Sequence, residues 1–180
     1  MTKASNINSP LGAGGKTLLL IRHAKSSWDD PSQSDFERPL NERGKKDAPE
    51  MAGRLIAKKI KIDIIISSPA KRASRTARVF AQEYELKKDD ILLKTELYGA
   101  GEREFFDVIG KINNRYNYAA LFSHNPGLTD FANLLTGTRI DNIPTCGVFA
   151  VRFDSKNWAD FKEVEKEFWF FDYPKAISGE

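Results

Sequence analysis

A chain of 180 residues can bury one substantial core but falls short of two ordinary domains, and 41% hydrophobic with 29% charged residues excludes general disorder. A net charge of only +3 gives little reason to read a nucleic-acid-binding chain, and no apolar run approaches the roughly 20 residues of a membrane span. The single cysteine, Cys146, excludes an internal disulfide, and two histidines are too few for a Cys/His metal site, so neither metal nor cofactor is expected.

Residues 1–15 (MTKASNINSPLGAGG) are small, polar and glycine-rich, with too few apolar groups to offset the entropy of ordering. They are expected to be a disordered leader ahead of one domain over residues 16–175. They lack the apolar stretch of a secretory signal, so the expected location is the cytoplasm. Four apolar residues at 18–21 then read as a buried strand that stops at Arg22 and His23. The stretch from Asp29 to Leu40 has no periodicity and reads as a loop. Asn41 is placed to cap a helix whose inner stripe is Ala48, Met51, Ala52, Leu55 and Ile56, with Gly44 and Pro49 weakening its first turns.

Residues 63–67 form a second strand, and SSPAKR turns into a helix with Ala73, Ala77, Phe80, Ala81 and Tyr84 inward. A short strand at 91–93, a helix at 102–112, a strand at 118–122 ending in Ser123-His124-Asn125-Pro126, and a helix at 127–135 follow. This alternation predicts an α/β fold: a three-layer sandwich whose mostly parallel central sheet carries helices on both faces. Two β-rich runs, at 146–153 and 158–170, predict a β-hairpin near the C-terminus, with the turn at 154–157. The basic residues between Arg43 and Lys61 have no aromatic residues among them, so they read as a solvated helix face rather than a nucleic-acid patch.

In open α/β sheets, ligands bind beyond the carboxyl ends of the strands. His23 and His124 each follow a strand, and Arg72 follows another. Arginine forks suit phosphate oxygens, and an imidazole nitrogen can attack phosphorus and carry the phosphoryl group covalently. Arg22, Arg72 and a protonated or donor His124 would surround the negative charge of a phosphoryl group in flight, while the same cations lower the pKa of His23 and free its lone pair. Ser26, Ser27 and Asn125 are candidate neutral donors, each equally suited to capping a turn.

RHAKSSW at 22–28, PLNERG at 39–44, SSPAKRASRTA at 67–77 and SHNPGL at 123–128 occur in the order and spacing of a known family. Over residues 16–175 the chain resembles the histidine phosphatase (phosphoglycerate mutase-like) superfamily, and within it the small phosphohistidine phosphatases typified by SixA. The resemblance implies His23 as the phosphorylated nucleophile and Arg22, Arg72 and His124 as its phosphate pocket; Ser26 and Asn125 join that pocket as the neutral donors read from the residues above. Glu96, in ELYG, resembles the proton-donating Glu of mutase-like relatives, with Glu102 and Glu104 behind it. Family members often have Asn where this chain has Asp29 and Gly where it has Ala24, and a carboxylate at the pocket would repel phosphate.

The expected function is hydrolysis of a phosphoryl group through phospho-His23 without metal, on a phosphorylated substrate and, in the sharpest form, on a phosphohistidine-bearing protein. Residues 84–118 hold too little chain for a lid, so an open pocket is expected. The alternatives are a small-molecule phosphomonoesterase or mutase, or a non-catalytic phosphate-binding module. No nucleic-acid or membrane partner is expected.

Overall fold

In the computed structural model, which describes residues 15–176, the apolar run at 18–21 is the middle of strand β1 (Lys16–Arg22), buried at every residue but Arg22. Strands β2 (Ile64–Ser67), β3 (Ile91–Leu93), β4 (Tyr118–Ser123), β5 (Val148–Phe153) and β6 (Glu167–Asp172) join it in one sheet of order β3-β2-β4-β1-β5-β6. The first four strands of that order run parallel, and β5 and β6 are antiparallel to their neighbours. Register pairs Leu18 with Ala119 and Arg22 with Ser123, so β1 and β4 end side by side.

Successive strand residues point to opposite faces, which divides the core in two. Leu19, Ile21, Ile65, Ala120 and Phe122 pack against Met51 and Leu55 of α1 (Glu42–Ala57) and Phe80 of α2 (Lys71–Glu83). Leu18, Leu20, Ile66 and Leu121 pack on the other face against Phe105 of α3 (Glu102–Gly110), Phe131 of α4 (Gly127–Leu135), and Trp158. The expected mostly parallel sheet with helices on both faces is the observed architecture.

Asn41 caps α1 as expected, its side chain accepting the Gly44 N–H at 2.9 Å. A Cβ on Gly44 would lie 2.1 Å from the Lys25 carbonyl oxygen, which accepts the Asn41 N–H at 3.0 Å. Only glycine lets α1 start this close to the loop that follows His23. Pro49 lies inside α1 without ending it.

Three expectations need correction. Ile56 is 40% exposed rather than on the buried stripe. The helix expected at 102–112 ends at Gly110, although Ile112 stays buried. In the C-terminal pair, β5 and β6 are antiparallel, but residues 158–166 are not strand: a 3₁₀ turn, Trp158–Lys162, precedes β6. Trp158 and Phe161, three residues apart, share one face of that turn and stack edge-on against Phe153 with ring centroids 5.3 and 5.0 Å away. Those aromatics carry the apolar signal that resembles a strand.

The disordered leader expected at 1–15 lies, apart from Gly15, outside the described residues. Among the described residues no helix is long and apolar enough to cross a membrane.

Candidate active site

The loops after β1, β2 and β4 meet at one edge of the sheet, and backbone bonds carry the register past the strand ends. The His23 N–H donates to the Ser123 carbonyl at 3.2 Å, and the Ser68 N–H to the Phe122 carbonyl at 3.0 Å. His23, Arg72 in the first turn of α2, and His124 are thereby brought together. All three are buried, and the two imidazole centroids are 5.1 Å apart.

His23 is held in one tautomer. Its Nδ1 lies 2.8 Å from the Ala24 carbonyl, an acceptor only, so Nδ1 carries the proton and the lone pair is on Nε2. Arg72 Nε faces that lone pair at 3.3 Å. Burial, then the nearby His124, Arg72 and Arg22, push the pKa of His23 down to about 3, against the opposing bond to Ala24. The imidazole is neutral at pH 7, with its Nε2 lone pair accepting from Arg72 Nε.

His124 Nε2 lies 2.8 Å from the Ser68 hydroxyl, which also accepts from the Ala70 N–H at 3.3 Å. Burial and the Arg72 charge bring the His124 pKa to about 4, so its imidazole is neutral at pH 7. Nδ1 is buried without a hydrogen-bond partner, and so is Arg22 Nε. Arg22 is fixed through its Nη1, which donates to the Ile143 carbonyl at 3.0 Å. Leaving a buried donor unpaired costs about 1–3 kcal/mol, and the Arg22 Nε–H, unpaired in the pocket, is free to meet an anion.

Several residues that hold this arrangement lack a sequence signal of their own. Thr76, one turn beyond Arg72, accepts the Ala24 N–H at 3.0 Å and donates to the Arg72 carbonyl at 2.7 Å. Asp35, in the 3₁₀ turn Asp35–Glu37, reaches across the site. Its carboxylate accepts from Arg72 Nη2 at 2.9 Å, Arg38 Nη1 at 2.8 Å and the Tyr98 hydroxyl at 2.8 Å. Burial would raise the Asp35 pKa, but these three donors outweigh it and hold the carboxyl at about 2. Tyr98 in turn stands edge-on to His124, with ring centroids 5.6 Å apart. Residues 84–118 were expected to supply no lid; the segment that lies against Arg72 comes from the loop at 29–40, through Asp35.

Residues 18–119 match the sequence pattern of the histidine phosphatase superfamily (branch 1). The chain belongs to that superfamily. Among other relatives, an uncharacterised chloroplastic protein of Arabidopsis thaliana is 28% identical over 160 residues, which cover 84% of this chain and 73% of the relative. A structure of the Agrobacterium tumefaciens protein assigned as the phosphohistidine phosphatase SixA superposes with a TM-score of 0.74 at 23% identity, over 88% of this chain and 98% of that one. The histidine phosphatase SixA complexed with tungstate gives a TM-score of 0.72 at 21% identity, over 88% and 97%. At these identities the structural likeness establishes a shared fold.

Placed in this histidine phosphatase, the remaining candidates separate from the central four. Ser26 is buried, and its hydroxyl accepts from Arg38 Nη2. Asn125 is used at both ends: its amide donates to Asn142 and to the Ile143 carbonyl, and its carbonyl accepts from Thr129. Both brace loops around the pocket. Glu96 is exposed, its carboxyl held below the ordinary range chiefly by its own backbone N–H, and its charged neighbours are Lys94 and Lys111 rather than the histidines. Glu104 caps α3 through the Gly101 N–H at 2.9 Å, and Asp29 is exposed. Among the described residues no group of three or more His, Cys, Asp or Glu side chains is placed to hold a metal ion.

Proposed function

We propose that this histidine phosphatase hydrolyses phosphoryl groups through a phosphohistidine formed on His23 Nε2, without a metal, and that its substrate is a phosphohistidine on another protein. The observation that carries the chemistry is the unpartnered buried Arg22 Nε–H, with His124 Nδ1 also unpartnered, beside a neutral His23 whose Nδ1 is tied to Ala24. In the first step the Nε2 lone pair forms a P–N bond as the bond to the leaving group breaks, and Arg22, Arg72 and His124 take the equatorial oxygens. In the second, water forms a P–O bond and the P–N electrons return to Nε2. One proton of that water is released with the phosphate.

Leaving-group chemistry supports the protein substrate. Glu96 is turned away, and Asp35 is ionised and held by three donors, so neither is a ready proton donor. An imidazole can leave already protonated and needs less help than an alkoxide. Trp28 supports it too: the ring is 71% exposed, with the Arg38 guanidinium 3.3 Å from its centroid, a large aromatic at the rim of the site where a partner surface would meet it.

Quenching during turnover of a labelled aryl phosphate should trap an acid-labile phosphoryl group on His23, and His23→Ala should abolish both the label and turnover. Label on His124 or Cys146, or activity lost on chelation and restored by a divalent ion, would refute the mechanism. Turnover of a small alkyl phosphate equal to that of a phosphohistidine protein would favour the small-ester reading and leave the His23 step standing.

A further inference from the structure

Beside the catalytic pocket runs a groove of about 490 Å³ between the segment after Arg38 and the outer face of α2. Its floor is apolar: Pro39, Leu40 and Val79. Its walls carry Lys45, Lys71, Arg75 and Arg78, and no acidic residue lines it. Lys71, Arg75 and Arg78 recur at i, i+4 and i+7, so they share one helix face, and all three are exposed. None of them makes an ion pair with any described residue, whereas Lys45 is paired with Glu42 at 2.6 Å.

An ordinary solvated helix would be arranged differently. The amino end of a helix carries partial positive charge and favours carboxylates, yet the first turn of α2 has none, and Lys71, Arg72 and Arg75 crowd it. Arg72 is accounted for by the phosphate pocket. Lys71 and Arg75 are not, and the same helix has no acidic residue before Glu83. The groove also adjoins the pocket on both walls: Lys71 precedes Arg72, and Pro39 follows Arg38, whose guanidinium contacts Asp35 and Ser26.

We infer that this groove docks an acidic segment of the phosphorylated protein substrate, carboxylates on Lys71, Arg75 and Arg78 and an apolar side chain on the Leu40–Val79 floor. The inference rests on the protein-substrate reading above. The apolar floor selects a polypeptide over a bare phosphate, which would gain nothing from it. The lack of any aromatic ring in the groove removes the stacking platform that a single-stranded nucleic acid would use.

The test uses two synthetic phosphohistidine peptides of one length, flanked by glutamate and leucine in one and by serine in the other, with an aryl phosphate as a third substrate. Wild type should show kcat/KM about tenfold higher for the acidic peptide, an advantage lost at about 0.5 M salt. Arg75→Glu/Arg78→Glu should abolish that preference and leave the aryl phosphate unaffected, and Arg75→Gln/Arg78→Gln, the milder change, should reduce it. No preference in wild type, or a preference that survives both variants, overturns the docking site. If the aryl phosphate is hydrolysed and neither peptide is, the phosphohistidine reading fails. The groove is then judged by fluorescence anisotropy of the acidic peptide: binding weakened by both variants supports it, and variant-insensitive binding, no binding, or displacement by duplex DNA at lower concentration than by unlabelled peptide overturns it.

Discussion

Asp35 occupies the Arg72 fork that the proposed substrate phosphate would use, so phosphate would have to displace an internal carboxylate. Asp35→Asn removes the competing charge, and inorganic phosphate should then inhibit about three- to tenfold more tightly, the range expected for loss of one charged hydrogen bond. Weaker inhibition would mean instead that Asp35 holds Arg72 in its working orientation. The histidines set the response to pH. Their pKa values of about 3 and about 4 lie below the ordinary 6.5, so between those values the unfolded chain binds protons that the folded protein does not. Stability should therefore fall as pH drops from 6.5 toward 4, and denaturant midpoints in His23→Gln/His124→Gln should fall less steeply over that window. By the same shift, kcat/KM corrected for substrate ionisation should show no histidine limb near pH 6.5.

At the scale of elements, α2 is the part that joins nucleophile to pocket, because one turn separates Arg72 from the Thr76 hydroxyl that accepts the Ala24 N–H. Thr76→Val should lower kcat about tenfold with little change in KM and cost about 1–3 kcal/mol, since it orphans a buried amide, while Thr76→Ser should restore turnover. Gly127 opens α4 with its Cα against the Ala100 carbonyl; an added Cβ would lie 2.1 Å from that oxygen. Gly127→Ala should destabilise by on the order of 1–3 kcal/mol, read as a drop in Tm of about 2–4 °C for each. Elements with strong periodicity were legible in the sequence: β1, β2, β4, α2 and α4 lie within a residue or two of where the pattern puts them. His23, His124, Arg22 and Arg72 were legible as neighbours because strand ends converge by topology. Asp35 was not, since it lies in the aperiodic loop at 29–40, where position is set by long-range partners. Glu96 misled for the opposite reason: ELYG resembles a family pattern, but the 3₁₀ turn Thr95–Leu97 faces its carboxylate outward.

For the whole molecule, the sheet order explains why one edge collects the chemistry. The crossover from β1 to β2 leaves a slot that β4 fills, so three loops from distant parts of the chain end together. Pairing of β5 with β1 then closes the back of the site, where the Cys146 N–H donates to both the Arg22 and His23 carbonyls at 3.1 Å. Cys146 adopts a φ of 61° to do so, and its side chain is fully buried, with burial raising the thiol pKa. The consequence concerns oxidants. Phosphatases that attack through a thiolate are silenced when peroxide converts it to the sulfenic acid, because reactivity follows thiolate character and exposure. On the mechanism proposed above the attacking atom is an imidazole nitrogen, and the one sulfhydryl behind it is protonated and sealed. Hydrogen peroxide at concentrations that inactivate a thiolate phosphatase should leave turnover intact and Cys146 unmodified by mass spectrometry, so this enzyme would go on removing phosphoryl groups through an oxidative burst.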